Sequence, residues 1–407
     1  MQAQGDAPDD DLRALDIANR AAAETPAPEP SAWRGFVEAA AATSCGPDAR
    51  CTGVNKRLSI DLGYDGAIAP GVRAVLESRL DLNSHAQLGF EKRTHTLKEA
   101  YLAWTADPQW TVEGGRINVR HGVATGYNPT DFFRARTLRT MVSVDPAATK
   151  ANRLGTVVLR SQRVWDTGAA SVLFAPKLEQ HRSDAPFSAD LGATNDRNRW
   201  LLTWTQRISA GFAPQWLYYQ EEQGDPQLGL NLSWAPHDAV VSFLEWRGGR
   251  APDLLDAFSG AARGASFRSQ ATAGVTLTPA PDLTVTAEYQ YNGAAPDSRR
   301  WHDFARANPR ALRAYLAWSR DLQELPTRHA VFGMARWKNA VVRNVDLSAL
   351  LRFNPDDDSG MAWLELLYRW GSTDLGLQWQ TNHGGRHSEF GVVPPDEAWQ
   401  VLLRHHF

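Results

Sequence analysis

Between Arg120 and Arg153 the chain places six cations, Arg120, Arg134, Arg136, Arg139, Lys150 and Arg153, against two carboxylates, Asp131 and Asp145. Held where water is scarce and screening weak, a loop of that composition would attract anions. On a solvated outer surface the same side chains would instead meet lipid phosphates, so the chemistry depends on where the loop lies. The only two cysteines, Cys45 and Cys51, bracket a turn-rich stretch, Gly46, Pro47, Asp48, Ala49 and Arg50. A short disulfide in an oxidising compartment fits them, since a metal site would need further ligands. Hydrolytic chemistry is not spelled out: His121, His181 and His329 stand at no spacing that pairs them with a particular serine and an orienting acid. His405 and His406 are adjacent, and neighbours on a strand face opposite sides, so they would not share an ion. No enzyme activity, cofactor or metal is expected.

The elements that must position these residues are read from periodicity. The chain has 407 residues with a formal net charge of -3 and 22% charged residues, which gives no sign of a nucleic-acid partner. No stretch approaches the roughly 20 consecutive apolar residues of a membrane-spanning helix, and the mean hydropathy is -0.42. That excludes helical spans but not a barrel, whose strands alternate lipid-facing and water-facing residues and average out as polar. Sixteen tryptophans favour a membrane interface, where a ring with one apolar and one wet side is at home.

From Trp33 to the end, segments of about ten residues with period two recur, the length a tilted strand needs to cross a bilayer. Eighteen are predicted, over residues 33–43, 56–65, 72–82, 97–106, 109–119, 153–165, 168–175, 199–208, 212–221, 228–235, 239–247, 267–278, 283–292, 328–337, 343–354, 361–370, 374–381 and 398–407. Short links at 107–108, 166–167, 235–238, 279–282, 338–341 and 371–373 alternate with long ones, notably 120–152, 176–198, 248–266, 293–327 and 382–397. Short periplasmic turns and long extracellular loops produce that alternation, and an even strand number leaves both termini in the periplasm. The expected fold is therefore an all-β transmembrane antiparallel barrel in the outer membrane of a Gram-negative cell, with Cys45 and Cys51 outside.

Alternation also sorts the charges. In the last segment Trp399, Val401, Leu403 and Phe407 share one face, and Gln400, Arg404 and His406 the other. The same reading sends Arg57, Asp61, Arg73, Glu77, Arg79, Asp81, Glu99, Arg160, Arg207, Glu245, Arg247, Arg268, Glu288, Arg336, Asp346, Arg352, Glu365, Arg369, Asp374 and Arg404 to the lumen. Facing lipid, each would cost up to about 2–4 kcal/mol at the midplane. Ion pairs bracing the wall explain most of them, and a modest arginine excess leans towards anions. Before the barrel, residues 1–32 read as a periplasmic extension. It has a short helix over 9–24, with Leu12, Leu15, Ile17 and Ala21 on one side, and a Pro-rich linker over 25–32. Its polar start looks like a mature N-terminus, and it is the place where a periplasmic partner would bind. Residues 301–325 carry helical spacing, with Phe304, Leu312, Tyr315, Leu316 and Leu322, in the longest loop, where a lid is expected.

Two motifs add to this. The terminal Phe407, ending a lipid-facing strand, matches the signal of barrels inserted by the outer-membrane assembly machinery. The segment 115–134, GRINVRHGVATGYNPTDFFR, resembles the glycine-rich strand end and Asn-Pro-x-Asp turn of alginate-export-type porins and related outer-membrane barrels. The resemblance implies an outer-membrane barrel surrounded by lipid and lipopolysaccharide, and it names no substrate. An eighteen-stranded barrel is wide enough for an aqueous passage unless its loops fill it. The expected activity is passage of a polar, anionic solute or an exported polymer past the 120–152 loop. The alternative is a closed barrel serving as a surface receptor or as the anchor of an envelope complex.

Overall fold

The computed structural model describes residues 31–46, 51, 53–85, 91–261, 264–392 and 396–407, and the predicted N-terminal helix lies outside them. Eighteen strands run in chain order. They are β1 (Trp33–Cys45), β2 (Asn55–Ala69), β3 (Val72–Asn83), β4 (Arg93–Asp107), β5 (Trp110–Ile117), β6 (Thr156–Trp165), β7 (Gly168–Ala175), β8 (Arg199–Gln206) and β9 (Gln215–Glu221). The second half comprises β10 (Gln227–His237), β11 (Val240–Ala251), β12 (Ser266–Ala280), β13 (Leu283–Asn292), β14 (His329–Trp337), β15 (Val345–Asn354), β16 (Ser359–Trp370), β17 (Thr373–His383) and β18 (Glu397–His406). Each pairs antiparallel with the next, and β1 pairs β18 over Phe36–Cys45, which closes the wall and leaves no edge.

Alternation decides which face meets what. On β15, Leu347, Leu351 and Phe353 point outward, while Ser348, Leu350 and Arg352 point inward. Around the barrel the exposed apolar set forms a continuous outer surface, and the end nearest the short turns carries Trp104, Trp110, Trp204, Trp234, Trp337 and Trp370. Aromatic girdles of this kind mark a bilayer interface. Most turns at that end are two residues long, the exceptions being 207–214 and 338–344. Gly371 between β16 and β17 sits at φ 58°, a left-handed conformation that glycine adopts without steric cost. The opposite end carries the long connections, of which residues 118–155 and 293–328 are the largest. Two connections there are short, residues 222–226 between β9 and β10 and residues 355–358 between β15 and β16.

Several expected boundaries shift. Strand β5 stops at Ile117 and β6 begins at Thr156, so Arg153 belongs to the loop and not to a strand. Arg207 is also outside the wall proper: it lies in the β8–β9 turn, where its guanidinium donates to the Asp166 carbonyl at 2.8 Å. Strand β4 carries a bulge against β3, at Glu77/Ser78, which turns the consecutive residues Lys98 and Glu99 both into the lumen. Strict period two cannot show that, and Lys98 was therefore not expected inside.

Candidate functional site

The loop of residues 118–155 leaves the wall at the end of β5 and crosses the lumen. What draws it in is a pair of wall carboxylates. Glu245 on β11, fully buried, accepts hydrogen bonds from the backbone N–H of Val123, from that of Ala124 at 2.6 Å and from the Asn128 amide at 2.8 Å. Glu288 on β13 accepts from the backbone N–H groups of Thr125 and Gly126. A buried carboxylate needs such donors, and a loop entering the lumen must satisfy its own N–H groups, so each supplies the other. Gly126 lies where a Cβ would come within 2.7 Å of the Phe332 ring, so only glycine permits this approach to β14. Further along, Thr130 donates to Asn231 on β10 at 2.8 Å, Thr272 on β12 donates to the Tyr127 carbonyl at 2.8 Å, and Arg336 on β14 reaches Asp145 at 2.8 Å. The single turn Pro146–Ala151 is capped by Asp145, which accepts from the Ala147 N–H.

The six cations predicted for this loop go to different places. Arg134 is buried, pairs with Glu324 at 2.6 Å and lies over the Tyr127 ring. Arg153 meets Asp131 at 2.5 Å and Gln323 at 2.6 Å, and Lys150 donates to the Ala124 carbonyl at 3.0 Å. Arg136 faces Asp196 at 3.0 Å, and Arg139 donates to the carbonyls of Ser188 and Ala185 at 2.6 and 3.0 Å. Both of these hold the β7–β8 loop instead of facing the passage. Arg120 is exposed. Burial brings the His121 imidazole down to about 4, so it adds no charge to the loop at neutral pH.

Among the lumen charges, the β1–β4 sector forms one network. Glu38 takes Arg57 at 2.6 Å and Arg404 at 2.5 Å with Arg79 at 3.5 Å, while Arg79 also reaches Asp81 at 3.0 Å and Lys98 reaches Asp61 at 3.0 Å. Glu77 takes Lys98 at 3.7 Å and Arg34. Elsewhere Arg73 pairs with Asp65, Arg160 with Glu113 and Arg369 with Asp346, while Arg268 donates to the Gly293 carbonyl at 3.2 Å. Glu365 accepts from Gln378 at 2.5 Å. Most wall charges are thus neutralised in place.

A cavity of about 570 Å³ lies between the inward loop and the wall of β14–β18 and β1. Five cations border it, Arg134, Lys150, Arg153, Arg320 and Arg352, against two carboxylates, Glu324 and Glu389. Arg320 and Arg352 make no side-chain hydrogen bond or ion pair among the described residues. Glu389, from the β17–β18 loop, accepts from Asn354 at 2.8 Å. Its carboxyl is pushed up to about 7 by burial, against the pull of Arg352. Arg320 and Glu389 do not stand out in the sequence, because nothing local shows that two loops far apart in the chain meet at one cavity.

Above the cavity the long loops pack on one another. Helices Ser298–Ala307 and Pro309–Asp321 bury Trp301, Leu312, Tyr315 and Leu316 with Leu255 and Val392. The predicted helical stretch is therefore two short helices built into the roof of the barrel. Cys45 and Cys51 are joined by a disulfide in the β1–β2 loop.

Neither a family profile nor a curated protein sequence matches the chain. Solved structures do. The chain is similar to Acinetobacter baumannii OccAB1 with TM-score 0.60 and 8% identity, covering 92% of this chain and 96% of that one. It is similar to Pseudomonas aeruginosa OccK8 (OprE) with TM-score 0.53 and 10% identity over 93% and 98% of the two chains. Pseudomonas aeruginosa OccK5 (OpdH) gives 0.53 and 10% over 92% and 98%. These neighbours are outer-membrane porins, and at such identity the likeness establishes the fold, a closed eighteen-stranded antiparallel barrel.

Proposed function

We propose that this chain is an outer-membrane channel that passes a small polar solute and prefers anions. Its place in the membrane is supported by the outer wall, where an apolar belt ends in the tryptophan girdle, and by the fold it shares with outer-membrane porins. The observation that carries the anion preference is in the cavity lining, where Arg134 and Arg153 are paired by Glu324 and Asp131 but Arg320 and Arg352 have no carboxylate in bonding contact. In a narrow, poorly screened passage such an imbalance sets the sign of the ion admitted. Passage of a polymer draws support only from the likeness of residues 115–134 to alginate-export-type porins, and the packed roof of loops favours a small solute. That same roof favours, as a second reading, a closed barrel acting as a receptor.

Conductance of the purified full chain in a planar bilayer tests both. Discrete steps with a reversal potential favouring chloride over potassium are expected, and Arg320→Glu with Arg352→Glu should move that potential towards cations. Absence of steps under all voltages would leave the receptor reading.

A further inference from the structure

Two patches of the inner wall are apolar. On β6–β9, Val158, Leu173, Leu201 and Leu217 pack against Phe132 and Phe133 of the inward loop. The other lies on β14–β16. Phe332 and Met334 on β14, Leu350 on β15, and Met361 and Trp363 on β16 form one buried apolar cluster. Register places Arg352 directly between Phe332 and Met361 on the same inner face. Val144 of the inward loop and Phe390 of the β17–β18 loop pack on the cluster, and both border the cavity. A guanidinium without a carboxylate in bonding contact is thus set into the edge of an apolar wall, inside a space of about 570 Å³. Sites for small molecules have this form, with apolar lining and one or two polar groups that fix orientation, and volumes of roughly 300–1,000 Å³.

We infer that the cavity selects organic anions that carry an apolar body, with the anionic end on Arg352 and Arg320 and the body against Phe390, Met361 and Trp363. Simple hydrated anions and sugar phosphates would use the cations alone. This rests on the anion reading above and deepens it. The apolar face discriminates because a ring or alkyl group leaves water on entering, whereas a sugar must give up hydrogen bonds that this face cannot return.

The test uses the full-length channel in a planar bilayer at pH 8, with phenyl phosphate and glucose 6-phosphate as blockers of the chloride current. Both carry the same headgroup. Phenyl phosphate is expected to half-block at about tenfold lower concentration, the factor that covering roughly 60 Å² of apolar surface supplies. Phe390→Ser should remove most of that difference without changing block by glucose 6-phosphate, and Met361→Gln on the wall gives the same readout if the loop variant does not fold. Equal block by the two phosphates, or a difference that survives both substitutions, overturns this inference and leaves the anion reading intact. Block by neither with chloride preference retained overturns this inference alone, and loss of chloride preference in the reversal potential removes the anion reading with it.

Discussion

The Glu245 carboxylate, on a wall strand, holds the backbone N–H of Ala124 at 2.6 Å from 121 residues away in sequence. That contact, repeated by Glu288 on Thr125 and Gly126, is what makes a long outer loop into the floor of an inner cavity. Glu245→Gln with Glu288→Gln keeps the shapes but replaces charged acceptors by neutral ones. Hydrogen bonds to charged groups are worth about 1.5–3 kcal/mol, against about 1 for neutral pairs. The loop should therefore leave the wall for part of the time, seen as larger and noisier single-channel steps. Steps indistinguishable from those of the unmodified channel would show that the loop is held by other contacts.

The cavity should also respond to pH through Glu389. Its carboxyl titrates near 7 because burial disfavours its charge more than Arg352 and Arg320 restore it, with Asp357 adding repulsion. Below that pH the acid is neutral and no charge at position 389 opposes the two guanidinium groups; above it the carboxylate cancels part of their field. Chloride preference, read from reversal potentials, should therefore rise as pH falls from 8 to 6. Glu389→Gln should fix the channel at its acid value at both pH values, and a pH response that persists in this variant would assign it to another group.

Much of the wall was legible beforehand because a lipid-facing strand leaves a two-residue rhythm that few other structures sustain for ten residues. Strand β13 has the predicted bounds, Leu283–Asn292. The rhythm fails where the backbone departs from it, as at the bulge that brings Lys98 inside to Asp61. The site was less legible, for a different reason. Glu245 looks, in sequence, like any lumen carboxylate, and Arg139 like any loop cation; their roles come from partners 121 and 46 to 49 residues away. Charge content could be read from the chain, but which charges are already neutralised could not, and that decides the field in the passage.

Arg139 has a role in the wall itself. Because β5 ends at Ile117, the upper part of β4 has no strand on that side, and the β7–β8 loop fills the gap, with His95 donating its backbone N–H to the Pro186 carbonyl at 2.8 Å. Arg139 donates to Ser188 and Ala185, and Arg116 to Ala189 at 2.7 Å, so two guanidiniums carry this patch. Arg139→Ala should weaken it by about 2 kcal/mol. Limited trypsin digestion, cutting at Lys177 or Arg182, should become faster while the remaining barrel resists. An unchanged digestion pattern would mean that Arg116 suffices.

The assignment of inner and outer faces can be tested on two neighbouring positions with one substitution. Leu364, midway along β16, is exposed on the outer face beside Ala349 and Trp379. Ser348 on β15 faces the lumen, with Glu365 beside it on one flank and Arg336 on the other. Leu364→Arg places a guanidinium in hydrocarbon near the midplane, at a cost of about 2–4 kcal/mol. Ser348→Arg puts the same group in water within reach of the Glu365 carboxylate, and should change stability by no more than roughly 0.5–1 kcal/mol. Denaturant unfolding from lipid vesicles, followed by tryptophan fluorescence, measures both. A larger loss at position 348 than at position 364 would mean that the apolar set does not face lipid, and the channel reading would fall with it.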